Sequence, residues 1–291
     1  MNTFLFVLLL VVIFIDLNEC YNIPGWSPES VQSRMWPHSK YIFPYRIQSP
    51  VNISLANVKR RKLDPLRIHF PWHSSKEMIR IENTGYYLEV LLPHEVDDRP
   101  YMTGGPLIDE KYIFEQLHFH WGPPDQRGSE HLLDGKGFPT EVHVVFYNEN
   151  YGSLEEAVNH PDGVAVVAFF GEFTSKNVDN ADLKYLISKL SDVTQPGTST
   201  RSSFKTEFLF MKDIFQQRTY YAFPGSLTTP PFSECVTWII CSQPFHISMR
   251  QLEAFRRLRS TNGTFLSTNV RELQDFAGRP LITPLRNSSI D

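Results

Sequence analysis

The chain has 291 residues, 41% of them hydrophobic and 21% charged, with 22 phenylalanines. That composition excludes a disordered or collagen-like chain and leaves room for a large, ring-rich core. A net charge of −4 gives no electrostatic reason to bind nucleic acid or an anionic lipid surface.

In chain order, Phe4 to Ile15 is an unbroken run of twelve apolar residues ended by Asp16. The run is shorter than the roughly twenty residues that cross a bilayer and fits the core of a secretory signal. No Lys or Arg precedes it, and the small-x-small pattern is poor around Leu17 to Cys20. Residues 1–20 are read as a signal peptide and the product as secreted and extracellular. The end from Leu285 to Asp291 is polar, so no membrane anchor is expected. The basic run Lys59-Arg60-Arg61-Lys62 is read as a solvated loop, because acidic residues outnumber basic ones overall.

Short strand-like runs dominate the remainder of the chain: Ile79–Ile81, Tyr86–Leu92, Tyr112–Trp121, Thr140–Tyr147, Val164–Phe173, Lys205–Met211, Phe215–Phe223 and Cys235–Cys241. Two segments read as helices. Ala181–Leu190 carries Leu183, Leu186, Ile187 and Leu190 on one face, and Ser248–Arg259 carries Leu252, Phe255 and Leu258 behind an N-capping Ser248. Ser153–Asn159 is a candidate third. Cys235 and Cys241 fall on one strand, about 20 Å apart, beyond disulfide reach, and Cys20 lies at the signal junction, so no disulfide is expected. Asn52, Asn262 and Asn287 head Asn-x-Ser/Thr acceptor triplets, which gain meaning only with secretion.

Four histidines fall within 26 residues: His118, His120, His131 and His143. On a strand, His118 and His120 share a face. His143 sits in a second alternating run, far enough along for an antiparallel return, so a third imidazole reaches the same ion. Three neutral imidazoles with an open fourth position favour Zn²⁺. Gln116 and Glu141 each precede a ligand by two residues and are candidate acceptors for the ring N–H groups. A cupin-type oxygenase would need a Glu three or four residues after His-x-His, whereas Glu130 follows His120 by ten. No His-Glu-x-x-His is present, which removes the common zinc proteases.

With these residues the chain resembles the alpha-class carbonic anhydrases. The matching blocks are Gln48 to Ile53, Gly104 to Leu107, Gln116 to Gly122, Gly128 to His131, Glu141 to His143, Pro161 to Val166, Phe223 to Pro231, Glu234 to Trp238, and Arg279 to Leu281 leading into Pro284-Leu285. The resemblance implies one catalytic domain over residues 21–291. Its fold would be mainly β: a large, twisted, mostly antiparallel sheet with a few peripheral helices and a conical cavity reaching the metal. It implies zinc on His118, His120 and His143, with His131 in the surrounding network, and reversible hydration of CO₂ to bicarbonate by hydroxide on that zinc. Thr228 would pass its hydroxyl proton to Glu130 and orient the nucleophile, and its backbone N–H would receive an anionic oxygen. Thr229 would also face the substrate, and Val145, Val166, Leu227, Val236 and Trp238 would wall the CO₂ pocket. The expected partner is the small substrate alone, and the expected state a monomer. The family also contains non-catalytic members that lost a zinc ligand, so a binding module is the alternative; activity on activated esters is expected only as a side reaction.

The chain departs from the family pattern at a few positions. Tyr86 stands where fast members carry a proton-exporting His, and a phenol titrating near pH 10 accepts protons poorly at neutral pH. Thr84 and Glu89 replace asparagines common near the water chain, and Glu89 is a candidate relay. Glu115 replaces an apolar pocket residue, and Phe223 replaces a tyrosine that usually joins His131 and Glu141, which predicts some local loss of stability.

Overall fold

A computed structural model describes residues 46–70, 78–93, 98–124, 127–203 and 219–285. The signal-peptide reading, Cys20, the Asn287 acceptor, the predicted strand Lys205–Met211 and the first residues of that at Phe215–Phe223 lie outside them.

The strands are β1 (Asn52–Ile53), β2 (Lys59–Arg61), β3 (Arg67–His69), β4 (Met78–Asn83), β5 (Leu88–Leu91), β6 (Tyr101–Thr103), β7 (Tyr112–Trp121), β8 (Leu132–Leu133), β9 (Thr140–Asn148), β10 (Val164–Glu172), β11 (Thr198–Ser203), β12 (Tyr220–Gly225), β13 (Val236–His246) and β14 (Ile282–Pro284). Twelve of them form one sheet in the order β11-β4-β5-β7-β9-β10-β13-β12-β14-β2, with β6 on the edge of β7 and β3 on β6. Within this sheet pairing is antiparallel except at β10·β13 and β14·β2, and β1 and β8 form a separate parallel pair, so the expected mainly β, mostly antiparallel architecture holds. The helices are short: α1 (Leu154–Ala157), α2 (Lys184–Lys189) and α3 (Met249–Arg256).

Period-2 alternation sorts the apolar side chains of the central strands onto two faces. Phe119, Val142, Val144, Phe146, Val167, Phe169 and Ile239 belong to one buried cluster, and Val145, Val166, Ala168, Val236, Trp238 and Ile240 to another. α3 closes the first face. Ser248 and Gln251 form a reciprocal cap at its N-terminus, and Phe255 packs 4.9 Å from Phe119 and 5.5 Å from Trp121 between ring centroids. The other face is left for the histidines.

That division depends on a bulge. Tyr112 and Phe114 face the first cluster, and so do Leu117, Phe119 and Trp121, although strict alternation cannot send even and odd positions the same way. The register of β7 against β9 shifts between Phe114 and Gln116. Glu115 is the extra residue, and it flips the parity of everything after it. His118 and His120 thereby face away from the aromatic cluster.

Two readings need correction, and one strand was not read. Lys59–Arg61 is an exposed edge strand paired in parallel with β14, not a loop; its partner comes from the far end of the chain, and charge on an edge discourages pairing with other molecules. The polar stretch Thr198–Ser203, unread in the sequence, forms β11 on the opposite edge. The two main helices are shorter than predicted: α2 gives way to a 3₁₀ turn at Leu190–Val193, and α3 ends at Arg256. Cys235 and Cys241 are free and buried, as expected. Among the described residues no helix is long and apolar enough to cross a membrane.

Candidate metal centre

His118 of β7 and His143 of β9 are direct cross-strand partners, and His120 lies one full alternation further along β7. All three rings are buried. His143 Nδ1 lies 3.2 Å from His118 Nε2 and 3.1 Å from His120 Nε2. The opposite nitrogen of each ring is held: His118 Nδ1 by Gln116 Oε1 at 2.9 Å, His120 Nδ1 by the Asn269 carbonyl at 3.0 Å, and His143 Nε2 by Glu141 Oε1 at 2.8 Å.

These partners decide the tautomers. A carbonyl and a carboxylate only accept, so His120 Nδ1 and His143 Nε2 must carry the hydrogens. Burial, reinforced by the neighbouring rings, holds the His118 and His143 imidazoles below their usual pKa and therefore neutral. The inward nitrogens then present lone pairs to one another at hydrogen-bond distance with no hydrogen between them. A cation relieves that repulsion. Ligand nitrogens of a tetrahedral zinc with bonds of about 2.0–2.1 Å stand roughly 3.3 Å apart, close to the spacing here. Three imidazoles and no thiolate suit zinc, so the residues fit the ion.

Glu141 has a second task. Its Oε2 accepts from the His131 backbone N–H and its Oε1 from His131 Nδ1, both at 2.8 Å. Burial alone would raise its carboxyl, but the His131 and His143 rings outweigh that and hold it well below the usual carboxylate range. His131 Nε2 is buried without a hydrogen-bond partner among the described residues. Its ring stands edge-on to Phe223, centroids 5.8 Å apart, where the family pattern has a tyrosine. Phe223→Tyr is expected to supply the missing partner and stabilise the protein by about 1 kcal/mol; urea unfolding reads this as a raised midpoint, and an unchanged or lowered midpoint refutes it.

Glu130 reaches the triad on the loop between β7 and β8. Gly128 and Ser129 both donate backbone N–H groups to the Phe138 carbonyl, at 2.7 and 2.8 Å. Gly128 is required there because a Cβ would collide with the Pro139 carbonyl. Glu130 Oε1 accepts from Arg271 N at 2.8 Å, while Oε2 lies 3.4 Å from His120 Nε2 and has no hydrogen-bond partner among the described residues. Thr228 is buried on the turn after β12, but no hydrogen bond joins it to Glu130. Thr229 braces that turn, its carbonyl accepting from Phe232 N at 2.9 Å.

Val145, Val166, Val236 and Trp238 are buried in the cluster on the histidine face, with Leu227 packed against it. Val145, Val166 and Trp238 form one row across β9, β10 and β13, and the Trp238 ring packs 4.9 Å from that of His143. Tyr86 behaves differently: it is 64% exposed on the turn between β4 and β5, and its neighbour Tyr87 tilts over His118 at 5.0 Å. Burial and then Glu89 push the Tyr87 phenol up to about 12. Glu89 faces His118 across the ladder; burial and then Glu115 raise its carboxyl to about 7, against the pull of Arg80. Asn52 and Asn262 are exposed.

Sequence reading missed Asn269 and Arg271, which fix His120 and Glu130. Both lie in an irregular stretch before β14 and hold their targets through backbone groups; the Asn269 side chain also clamps β7 on either side of His120, accepting from Trp121 N at 2.8 Å and donating to the Phe119 carbonyl at 2.9 Å.

Residues 31–284 match the model of the eukaryotic-type carbonic anhydrase family. Human "Carbonic anhydrase 7" is 38% identical over 239 residues, 80% of this chain and 86% of the relative. Rat "Carbonic anhydrase 5A, mitochondrial" is 35% identical over 80% of this chain and 75% of the relative. The human "Carbonic anhydrase-related protein" is 36% identical over 73% and 71%. On the length matched and the identities within it, the chain belongs to the eukaryotic-type carbonic anhydrase family.

Proposed function

We propose that the chain is a zinc lyase that interconverts CO₂ and water with bicarbonate and a proton. The observation that carries this reading is the convergence of three imidazole lone pairs whose outer nitrogens are all tied to acceptors. His118, His120 and His143 would hold zinc, which would lower the pKa of a bound water to about 7 and so supply a nucleophile at neutral pH, a value established on carbonic anhydrase itself.

The protein's own groups do the rest. Gln116, Asn269 and Glu141 keep the rings in the ligating tautomer. Glu130 Oε2, which has no hydrogen-bond partner among the described residues, accepts a hydrogen bond from the Thr228 hydroxyl; Thr228 Oγ1 then accepts from the attacking oxygen and turns its remaining lone pair toward carbon. The Thr228 N–H receives the oxygen on which charge develops, with Thr229 beside it. Val145, Val166, Leu227, Val236 and Trp238 make a dry wall for CO₂, which is apolar and needs no hydrogen bonds. Stopped-flow CO₂ hydration on protein of measured zinc content tests the proposal: chelator-sensitive turnover supports it. Stoichiometric zinc in folded protein with no turnover replaces it with the binding-module reading.

With Tyr86 at the export position, proton transfer limits turnover. Adding imidazole at fixed pH is expected to raise the maximal rate severalfold, and Tyr86→His to do the same without added buffer. A rate indifferent to imidazole overturns this point. We further propose that residues 1–20 are a cleaved signal, that residues 21–291 are secreted as a monomeric domain, and that Asn52 and Asn262 carry glycans; a mass shift on glycosidase treatment of the secreted product checks the last.

A further inference from the structure

A second cleft, of about 660 Å³, lies behind the Thr228–Phe232 turn, and Arg46, Gln48, Pro231, Phe232 and Arg271 are among the residues lining it. Arg271 is prepared there for a ligand. Its Nη1 donates to Gln48 Oε1 at 3.0 Å and to the Ser49 carbonyl at 2.6 Å. Its guanidinium lies 3.7 Å from the centroid of the Phe232 ring. One edge of the fork is thus tied down and one face stacked, while Nε and Nη2 have no protein acceptor among the described residues. A guanidinium immobilised in this way has already lost its rotamer freedom and offers two parallel N–H groups to a carboxylate.

Charge in the cleft favours an anion despite Glu234 and Asp275 on its wall. Glu234 accepts from Gln48 Nε2 at 2.8 Å, and both acids face the largely buried Arg279, which they oppose in its burial-driven fall to about 10. Those three groups compensate one another to within one charge. Arg46 on the rim is exposed and, like Arg271, makes no ion pair among the described residues. Pro231 and the Phe232 ring supply the apolar wall.

We propose that this cleft binds a small organic carboxylate carrying an apolar ring or chain, with Arg271 as its bidentate partner, Arg46 as a second cation and Pro231–Phe232 against its apolar part. The site is distinct from the metal centre but joined to it. The Arg271 backbone N–H holds Glu130 Oε1, and Gln48 Nε2 donates to the Phe232 carbonyl at 3.1 Å on the turn that carries Thr228.

Benzoate is the probe, titrated by calorimetry into the full chain in two forms: zinc-loaded with excess benzenesulfonamide, and stripped by chelator. The second form keeps the test independent of the proposed catalysis. Saturable binding at millimolar concentration or better is expected in both, with benzamide, which has the same shape and no charge, at least tenfold weaker. Arg271→Met keeps the stem and the backbone N–H and is expected to cost tenfold or more. Arg46→Ala, at an exposed position that carries no folding risk, is expected to cost about threefold. Binding that vanishes under benzenesulfonamide and in stripped protein, equal binding of benzamide, or wild-type affinity in both variants overturns the proposal.

Discussion

His120→Ala is expected to yield protein without stoichiometric zinc and with CO₂ hydration reduced by roughly 10³-fold or more, because several kcal/mol of charge stabilisation leave with the ion. The substitution removes one of three inward nitrogens and strands the Asn269 carbonyl that held its ring. Since it also opens a buried space, metal content is measured alongside a folding readout such as near-UV circular dichroism. Gln116→Ala separates ligand loss from misfolding. It leaves all three ligands in place and removes only the acceptor on His118 Nδ1, so zinc affinity is expected to fall about 10–100-fold, the range seen for such outer partners at zinc sites, carbonic anhydrases among them. Full zinc occupancy and turnover in His120→Ala would refute the metal centre as described.

Glu130→Gln and Thr228→Ala are expected to keep the zinc and lose rate. In Glu130→Gln the new carboxamide would still accept from Arg271 N through its carbonyl oxygen, but it places an NH₂ where Glu130 has the free Oε2, and an NH₂ cannot accept a hydrogen bond from the Thr228 hydroxyl. A drop of about 10²–10³-fold is expected for each, the size usual for one positioned hydrogen bond in a charge-developing step. If the pair acts as a unit, the double variant loses little more than either single one. Losses that multiply, or a normal rate in Glu130→Gln, would separate Thr228 from Glu130. The comparison is informative because no hydrogen bond joins the two residues in the structure, although Oε2 stands open beside His120.

The local chemistry of the centre was legible in the sequence because it follows strand alternation. His118 and His120 lie two apart, Gln116 and Glu141 precede their ligands by two, and so each acceptor shares a face with the ring it holds. Phe223 was marked only by the resemblance; beside it His131 Nε2 has no hydrogen-bond partner among the described residues. The runs read at Tyr112–Trp121, Thr140–Tyr147 and Val164–Phe173 carried enough apolar, β-branched and aromatic residues to be placed from the sequence, and the strands formed are Tyr112–Trp121, Thr140–Asn148 and Val164–Glu172.

The antiparallel return that brings His143 to the β7 histidines was expected from its spacing, but the residue-by-residue register was not legible. Register is a property of two strands at once, so only the fold could set His143 opposite His118. The bulge at Glu115 decides which face both β7 histidines take, yet a bulge leaves no signature when the residue inserted is an ordinary one. Asn269 and Arg271 hold His120 and Glu130 through a backbone carbonyl and a backbone N–H, groups every residue possesses, and they reach the centre from a loop nearly 150 residues beyond His120; the Asn269 side chain, which bonds the neighbours of His120, finds its partners only in the fold. Lys59–Arg61 became a strand only because β14 supplied an edge. Side-chain identity thus specified what can bind the ion, and the folded backbone decided where those side chains meet.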